Sequence, residues 1–139
     1  MARRLATSAI IALLLARHGL AAEPARPAAE QAKIDFLLNE VKKSVDVFVR
    51  NGREYSGARA GGHLATKLRF AGKRVQTATD FILGIASKSE ETGKLYEVRT
   101  REGLREPLRD WLLARLQLHE KARPNPTPTR PVLLAPHGS

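Results

Sequence analysis

Cysteine is absent from all 139 residues, so no disulfide can brace the fold and no lipid thioether can anchor the chain, even in a compartment that would permit either. Aromatics are scarce, with one Trp, two Tyr and four Phe, which leaves little base-stacking surface of the kind that single-stranded nucleic acid needs. Long apolar runs are missing as well. The longest, Leu5 to Ala16, falls short of the ~20 residues that span a bilayer. The four histidines, His18, His63, His119 and His137, show no ligand spacing, and with no cysteine to assist them they exclude the usual zinc sites. Gly61-Gly62 has neither the preceding strand nor the following Gly-Lys-Ser/Thr of a phosphate loop, and there is no Gly-x-Ser-x-Gly elbow. No cofactor and no metal is expected from these patterns.

What is present is positive charge, and it is concentrated. The chain carries 24 basic and 14 acidic residues. Residues 50 to 74 hold Arg50, Arg53, Arg59, Lys67, Arg69, Lys73 and Arg74 against Glu54 alone, a local balance of +6. Residues 23 to 49 have four basic and five acidic residues, and residues 75 to 120 have seven and eight, so each flank comes to −1. Such a block can meet an anionic partner, but it spells no reaction.

Residues 1 to 22 have the layout of a secretory signal peptide: Arg3 and Arg4, the apolar stretch, then small residues at Gly19, Ala21 and Ala22. Cleavage after Ala21 or Ala22 removes three basic residues and no acids, which leaves 21 against 14, or +7. The predicted address is the periplasm, with no transmembrane anchor. A Pro/Ala linker over 23–31 follows, then a helical domain over 32–120, and the proline-rich residues 121–139 read as a disordered tail.

The domain reads as mainly α, a single small unit of about four amphipathic helices with one short β-hairpin between the third and fourth. Ile34, Leu37, Leu38, Val41, Val45, Phe48 and Val49 fall on one stripe at 100° per residue and predict a helix over residues 30 to 50, stopped by Asn51-Gly52. Phe36 and Val47 lie opposite that stripe. Ser56 is the expected N-cap of a second helix ending at Gly72, with Ala60, Leu64, Leu68 and Ala71 inward and Lys67, His63 and Phe70 at the edge. Thr77 to Asp80 has capping-box spacing and opens a third helix carrying Phe81, Ile82, Ile85 and Ala86. Leu95 to Thr100 alternates like a strand, Glu102-Gly103 can turn, and Leu104 to Glu106 can pair back. Pro107 suits the first position of a fourth helix whose inner face is Leu108, Trp111, Leu112 and Leu116. Arg115 falls between those positions, so it must escape to the surface or find a carboxylate.

The landmarks Phe48 to Gly52, Tyr55, His63-Leu64, Lys67, Ala71-Gly72, Arg74-Val75, Thr77-Ala78, Phe81-Ile82, Ala86-Ser87, Ser89, Gly93, Tyr96 to Arg99 and Trp111-Leu112 resemble those of the YfeK-like family of small exported bacterial proteins. The likeness covers about residues 32 to 116. Leu95 stands where the family pattern has proline, and the cysteines of some relatives are absent. The resemblance implies a periplasmic address and a fold; it supplies no activity and no catalytic residues.

The sharpest local cluster is His63 with Lys67, four residues apart on one helix edge. A lysine beside an imidazole lowers its pKa toward the general-base form, while the simpler role is a hydrogen-bonded edge histidine beside a lysine whose stem covers the core. Tyr55, Ser87, Ser89, Tyr96 and Arg99 sit in loops or strand ends and complete a candidate ligand site; the serines can equally satisfy backbone groups at a helix end. Arg50, Arg53, Arg59, Arg69, Lys73 and Arg74 form the expected basic face. No residue is singled out as catalytic.

Three function classes follow. The first is a non-enzymatic module that binds an anionic envelope component or an acidic protein through the basic face. The alternative is a small hydrolase- or transferase-type enzyme built on His63 and its polar neighbours. Nucleic-acid binding is the third, and it fails on the helix that would have to read the groove, since residues 77 to 87 contain no Lys or Arg.

Overall fold

The computed structural model describes residues 24–123; the expected signal peptide and the tail from residue 124 onward lie outside the described residues. The first helix, α1 (Ala28–Lys43), begins inside the stretch read as linker and buries Ile34, Leu37, Leu38 and Val41. It stops seven residues earlier than the apolar stripe predicts. Ser44 is extended, and its hydroxyl accepts from the Asp46 N–H at 3.1 Å. Beyond it the valines at 45, 47 and 49 alternate, a spacing that suits β-branched side chains on a pleated surface.

The chain therefore enters a sheet and not a longer helix. Strands β1 (Val47–Arg50) and β2 (Arg53–Tyr55) pair antiparallel, with Phe48 opposite Tyr55 and Arg50 opposite Arg53. Asn51 and Gly52 form the two-residue connection, both at positive φ (51° and 76°). That geometry is the hairpin turn for which Asn-Gly is the strongest local signal. The same pair also suits a helix end, which is why the mainly helical expectation with a single hairpin must be corrected. The domain is α+β. Its four-stranded antiparallel sheet has the order β2-β1-β3-β4, where β3 is Glu97–Arg99 and β4 is Arg105–Pro107. Half of that sheet comes from residues assigned to a helix or a loop.

Helix α2 (Gly57–Ala71) starts on Ser56, whose hydroxyl accepts from the Arg59 N–H, and ends at Gly72 with φ 55°. A 3-10 turn, Gly72–Arg74, leads to α3 (Ala78–Asp80), where Thr77 and Asp80 form a reciprocal capping box. Glu30 reaches across from the first turn of α1 to accept from the Ala78 N–H at 2.8 Å, so one helix caps another. The third helix continues as a single π turn, Phe81–Ile85, whose Phe81, Ile82 and Ile85 are all buried. Helix α4 (Leu108–Ala122) follows β4 directly.

One face of the sheet carries Phe48 and Val98, aligned across β1 and β3 and both buried against the helices. Trp111 of α4 meets Phe48 edge-on, with ring centroids 5.7 Å apart. Arg115 lies flat over Trp111, 3.2 Å from the ring centroid, with Glu40 of α1 at 3.5 Å. Its charge thus stays at the core margin with both an aromatic and a carboxylate partner. The opposite sheet face carries Val47 and Val49 together with charged side chains. There Arg99 pairs with Glu54 and Arg105 with Glu97, at 2.5 and 3.9 Å. Among the described residues no helix is long and apolar enough to cross a membrane.

Candidate functional site

Because β1 turns back at Asn51, the inner face of the first hairpin lies under the first two turns of α2. Between them is a cavity of about 310 Å³, and the segment at Tyr96 and Leu108 closes its far side. Phe48, Val49, Ala60, Leu64 and Leu108 supply apolar wall; Arg50, Tyr55, Arg59, His63, Tyr96 and Glu97 supply the polar groups, Glu97 being also the partner of Arg105 at 3.9 Å. Of the residues expected to bind ligand, Tyr55, His63 and Tyr96 are brought together here. Two members of the expected basic face, Arg50 and Arg59, join them.

His63 faces Tyr96 edge-on, with centroids 6.4 Å apart, and its Nε2 is covered and has no hydrogen-bond partner among the described residues. Burial first, then the charges of Arg50 and Lys67, push its pKa below the usual 6.5, while Glu91 pulls weakly the other way. Burial and both cations thus favour the neutral imidazole. Arg50 Nε is likewise covered and without a partner among the described residues. Its Nη2 lies 3.7 Å from Oε2 of Glu91, a side chain that is 76% exposed. Arg59 sits over the Tyr55 ring at 5.8 Å and has no carboxylate within ion-pair distance among the described residues.

Lys67 has a different task. Its ammonium donates to the Ile85 carbonyl at 2.9 Å, the Lys88 carbonyl at 3.3 Å and the Tyr96 hydroxyl at 3.2 Å. All three of its donors are engaged, which ties α2 to the end of the π turn and to the approach to β3. Ser87 and Ser89 are buried away from the cavity. The Ser87 hydroxyl donates to the Ile82 carbonyl at 2.8 Å, and Ser89 Oγ accepts from Asn51 Nδ2 at 3.1 Å. Arg99 points to the opposite sheet face, paired with Glu54.

The expected basic face is divided. Arg50, Arg53 and Arg59 gather at the hairpin and the start of α2. Arg69, Lys73 and Arg74 lie at its far end, roughly 18 Å away at 1.5 Å per helical residue. Among the described residues, Arg50 alone of the seven basic residues in this block has an acid within ion-pair distance. No group of three or more His, Asp or Glu capable of holding a metal occurs among the described residues.

Sequence reasoning missed Glu91 and Asn51 as parts of this site. Thr92 Oγ1 donates to Asn51 Oδ1 at 2.5 Å, so the side chain at the hairpin tip clamps the 89–92 turn and holds Glu91 beside Arg50. The one available signal was the Asn-Gly pair itself, read as a hairpin.

An α+β domain with a cationic, partly apolar cavity under its first hairpin is the class that the fold and site define. The chain belongs to a family of unknown function, DUF5329, whose model matches residues 28–120. The uncharacterized protein YfeK of Salmonella typhimurium (strain LT2) is 40% identical over 89 residues, covering 63% of this chain and 72% of that protein. No solved structure matches.

Proposed function

We propose that this protein is a non-enzymatic binding module, exported to the periplasm, that engages an anionic envelope component at the cationic cavity mouth. The observation that carries the reading is the charge imbalance there. On the sheet face away from Phe48 and Val98, the cross-strand pair Arg99 and Arg105 is matched by two carboxylates, Glu54 and Glu97. At the cavity, Arg50 and Arg59 line the wall and Arg53 stands opposite Arg50 on β2; of the carboxylates there, Glu91 is exposed beside Arg50 and Glu97 is already paired with Arg105, so the balance stays cationic. Like charges directly opposite each other destabilise a sheet, and an anionic ligand relieves that cost. An enzymatic reading would rest on His63, yet among the described residues no carboxylate is hydrogen-bonded to its ring to orient it as a general base.

The test is retention on immobilised anionic envelope polysaccharide between 0.1 and 1 M salt, over which the Debye length falls from ~10 to ~3 Å. The natural chain should be retained at low salt and released at high salt. Arg50→Gln/Arg59→Gln should lose retention more than Arg69→Glu/Lys73→Glu/Arg74→Glu. Loss only in the second variant would move the contact to the far end of α2, and equal retention of all three proteins would remove the reading. Export rests on residues 1 to 22, so periplasmic material should begin at Ala22 or Glu23 by mass spectrometry; an intact Met1 there would contradict it.

A further inference from the structure

We propose that the cavity receives a compact molecule bearing one oxyanion on an apolar body, and that Glu91 occupies the oxyanion's place on Arg50 until that molecule binds. This rests on the cavity being the binding site and specifies what it takes.

Size is the first argument. A volume of about 310 Å³ is at the lower end of small-molecule sites. It accommodates one ring or short chain and no internal stretch of a polymer, so an envelope polymer could present only an end group to it.

Wall chemistry is the second. Phe48, Leu64 and Leu108 floor the cavity as part of the hydrophobic core, with the partly buried Ala60 packed against them. A fully hydrated ion such as free phosphate gains nothing from that surface, whereas an aryl or alkyl body does. Arg50, Tyr55, Arg59 and His63 lie on the hairpin and α2 side, with Tyr96 and Glu97 across from them. Arg50 offers a partly exposed planar guanidinium held only by the long Glu91 contact, and planar donors of this kind recognise carboxylate and phosphate alike. His63 lines the same wall, its Nε2 covered and without a partner among the described residues.

Glu91 is the third. Its contact with Arg50 Nη2 is long at 3.7 Å and its own side chain is three-quarters exposed, the type of ion pair that contributes least. It is nevertheless held in place, because Asn51 clamps its turn through Ser89 and Thr92. A weak carboxylate fixed at a guanidinium is a competitor that a better-placed oxyanion can displace.

Calorimetric titration of the natural chain at low salt would use four probes: phenylacetate, phenyl phosphate, 2-phenylethanol and inorganic phosphate. Both aryl oxyanions should bind at least about tenfold tighter than the alcohol, the minimum expected for a charge-assisted contact. Both should also bind tighter than inorganic phosphate, and their ratio distinguishes a carboxylate from a phosphate site. Glu91→Gln, a surface change, should tighten the aryl oxyanions about two- to fivefold, and Arg50→Gln should abolish the difference from the alcohol. Equal binding of alcohol and oxyanion overturns the proposal, as does inorganic phosphate binding as well as the aryl anions. Unchanged or weaker binding in Glu91→Gln refutes the place-holding role even if Arg50→Gln fails to fold. Polymer retention lost in the cavity variants while the aryl oxyanions fail to bind would sink this inference and leave the proposed function standing.

Discussion

Substituting alanine at Gly57 and at Gly62 in the same helix should move stability in opposite directions, because only one of them faces α1. A Cβ built on Gly57 would lie 2.3 Å from the Val41 carbonyl oxygen and 2.7 Å from that of Ser44. Both are backbone atoms at the end of α1, so neither can rotate aside, and the helices must separate. Overpacking of this kind costs about 1–3 kcal/mol and sometimes more. A Cβ on Gly62 meets nothing within 4 Å. There the change only removes the backbone freedom of a helical glycine and should stabilise by about 0.5–1 kcal/mol. For a domain of this size, 1 kcal/mol corresponds to roughly 4–8 °C in Tm. Gly57→Ala should therefore melt at least about 4 °C lower, and Gly62→Ala roughly 2–8 °C higher, by circular dichroism. Gly61 is intermediate, since its Cβ would meet the Lys42 side chain at 2.3 Å, and a side chain can yield where a carbonyl cannot. If Gly57→Ala were as stable as the natural chain, the close approach of α1 and α2, and with it the placement of Arg59 and His63 over the hairpin, would be wrong.

Glu30→Gln should cost about 1–2 kcal/mol near neutral pH, because Glu30 caps α3 through the Ala78 N–H while accepting from Lys33 at 2.8 Å. Those bonds, that to Lys33 first, hold its folded pKa below 4.5; the stability is present above the unfolded value and lost as pH falls through the folded one. Urea midpoints of the natural chain and the variant should thus converge in acid, and a constant gap would refute the charged cap. Lys67→Met should cost about 1–3 kcal/mol by removing donors from the Ile85 and Lys88 carbonyls. A thermal midpoint unchanged from the natural chain would show that the three contacts contribute nothing.

Legibility in the sequence divides along a physical line. Features decided within a few residues could be read: Ser56 and Gly72 do bound α2, and Thr77 with Asp80 does form a capping box. Phe48 and Val49 could not be assigned in this way. They fit the 100° stripe begun at Ile34 and also the alternation of Val45, Val47 and Val49, and only pairing with Tyr55 and Val98 decides between them. Asn51-Gly52 was ambiguous for the same reason, since positive φ serves a helix end and a tight hairpin equally. Once β1 is a strand, Arg50 turns from the end of a helix into one wall of a cavity. Its counter-ion then comes from a turn far along the chain, held there by Asn51. Composition located the charge in residues 50 to 74; the sheet register divided it into a cavity mouth and a distant helix end.

The most direct test of an anion site at this cavity is the titration of the His63 imidazole by proton NMR, assigned by loss of its signal in His63→Gln. In the free chain it should titrate below 6.5, because burial and the neighbouring Arg50 and Lys67 charges disfavour the imidazolium. Saturating phenylacetate should raise that pKa, since a bound oxyanion favours the charged ring, and by linkage the anion should bind more tightly as pH falls toward it. A His63 pKa that saturating phenylacetate leaves unmoved would contradict an anion site at this cavity.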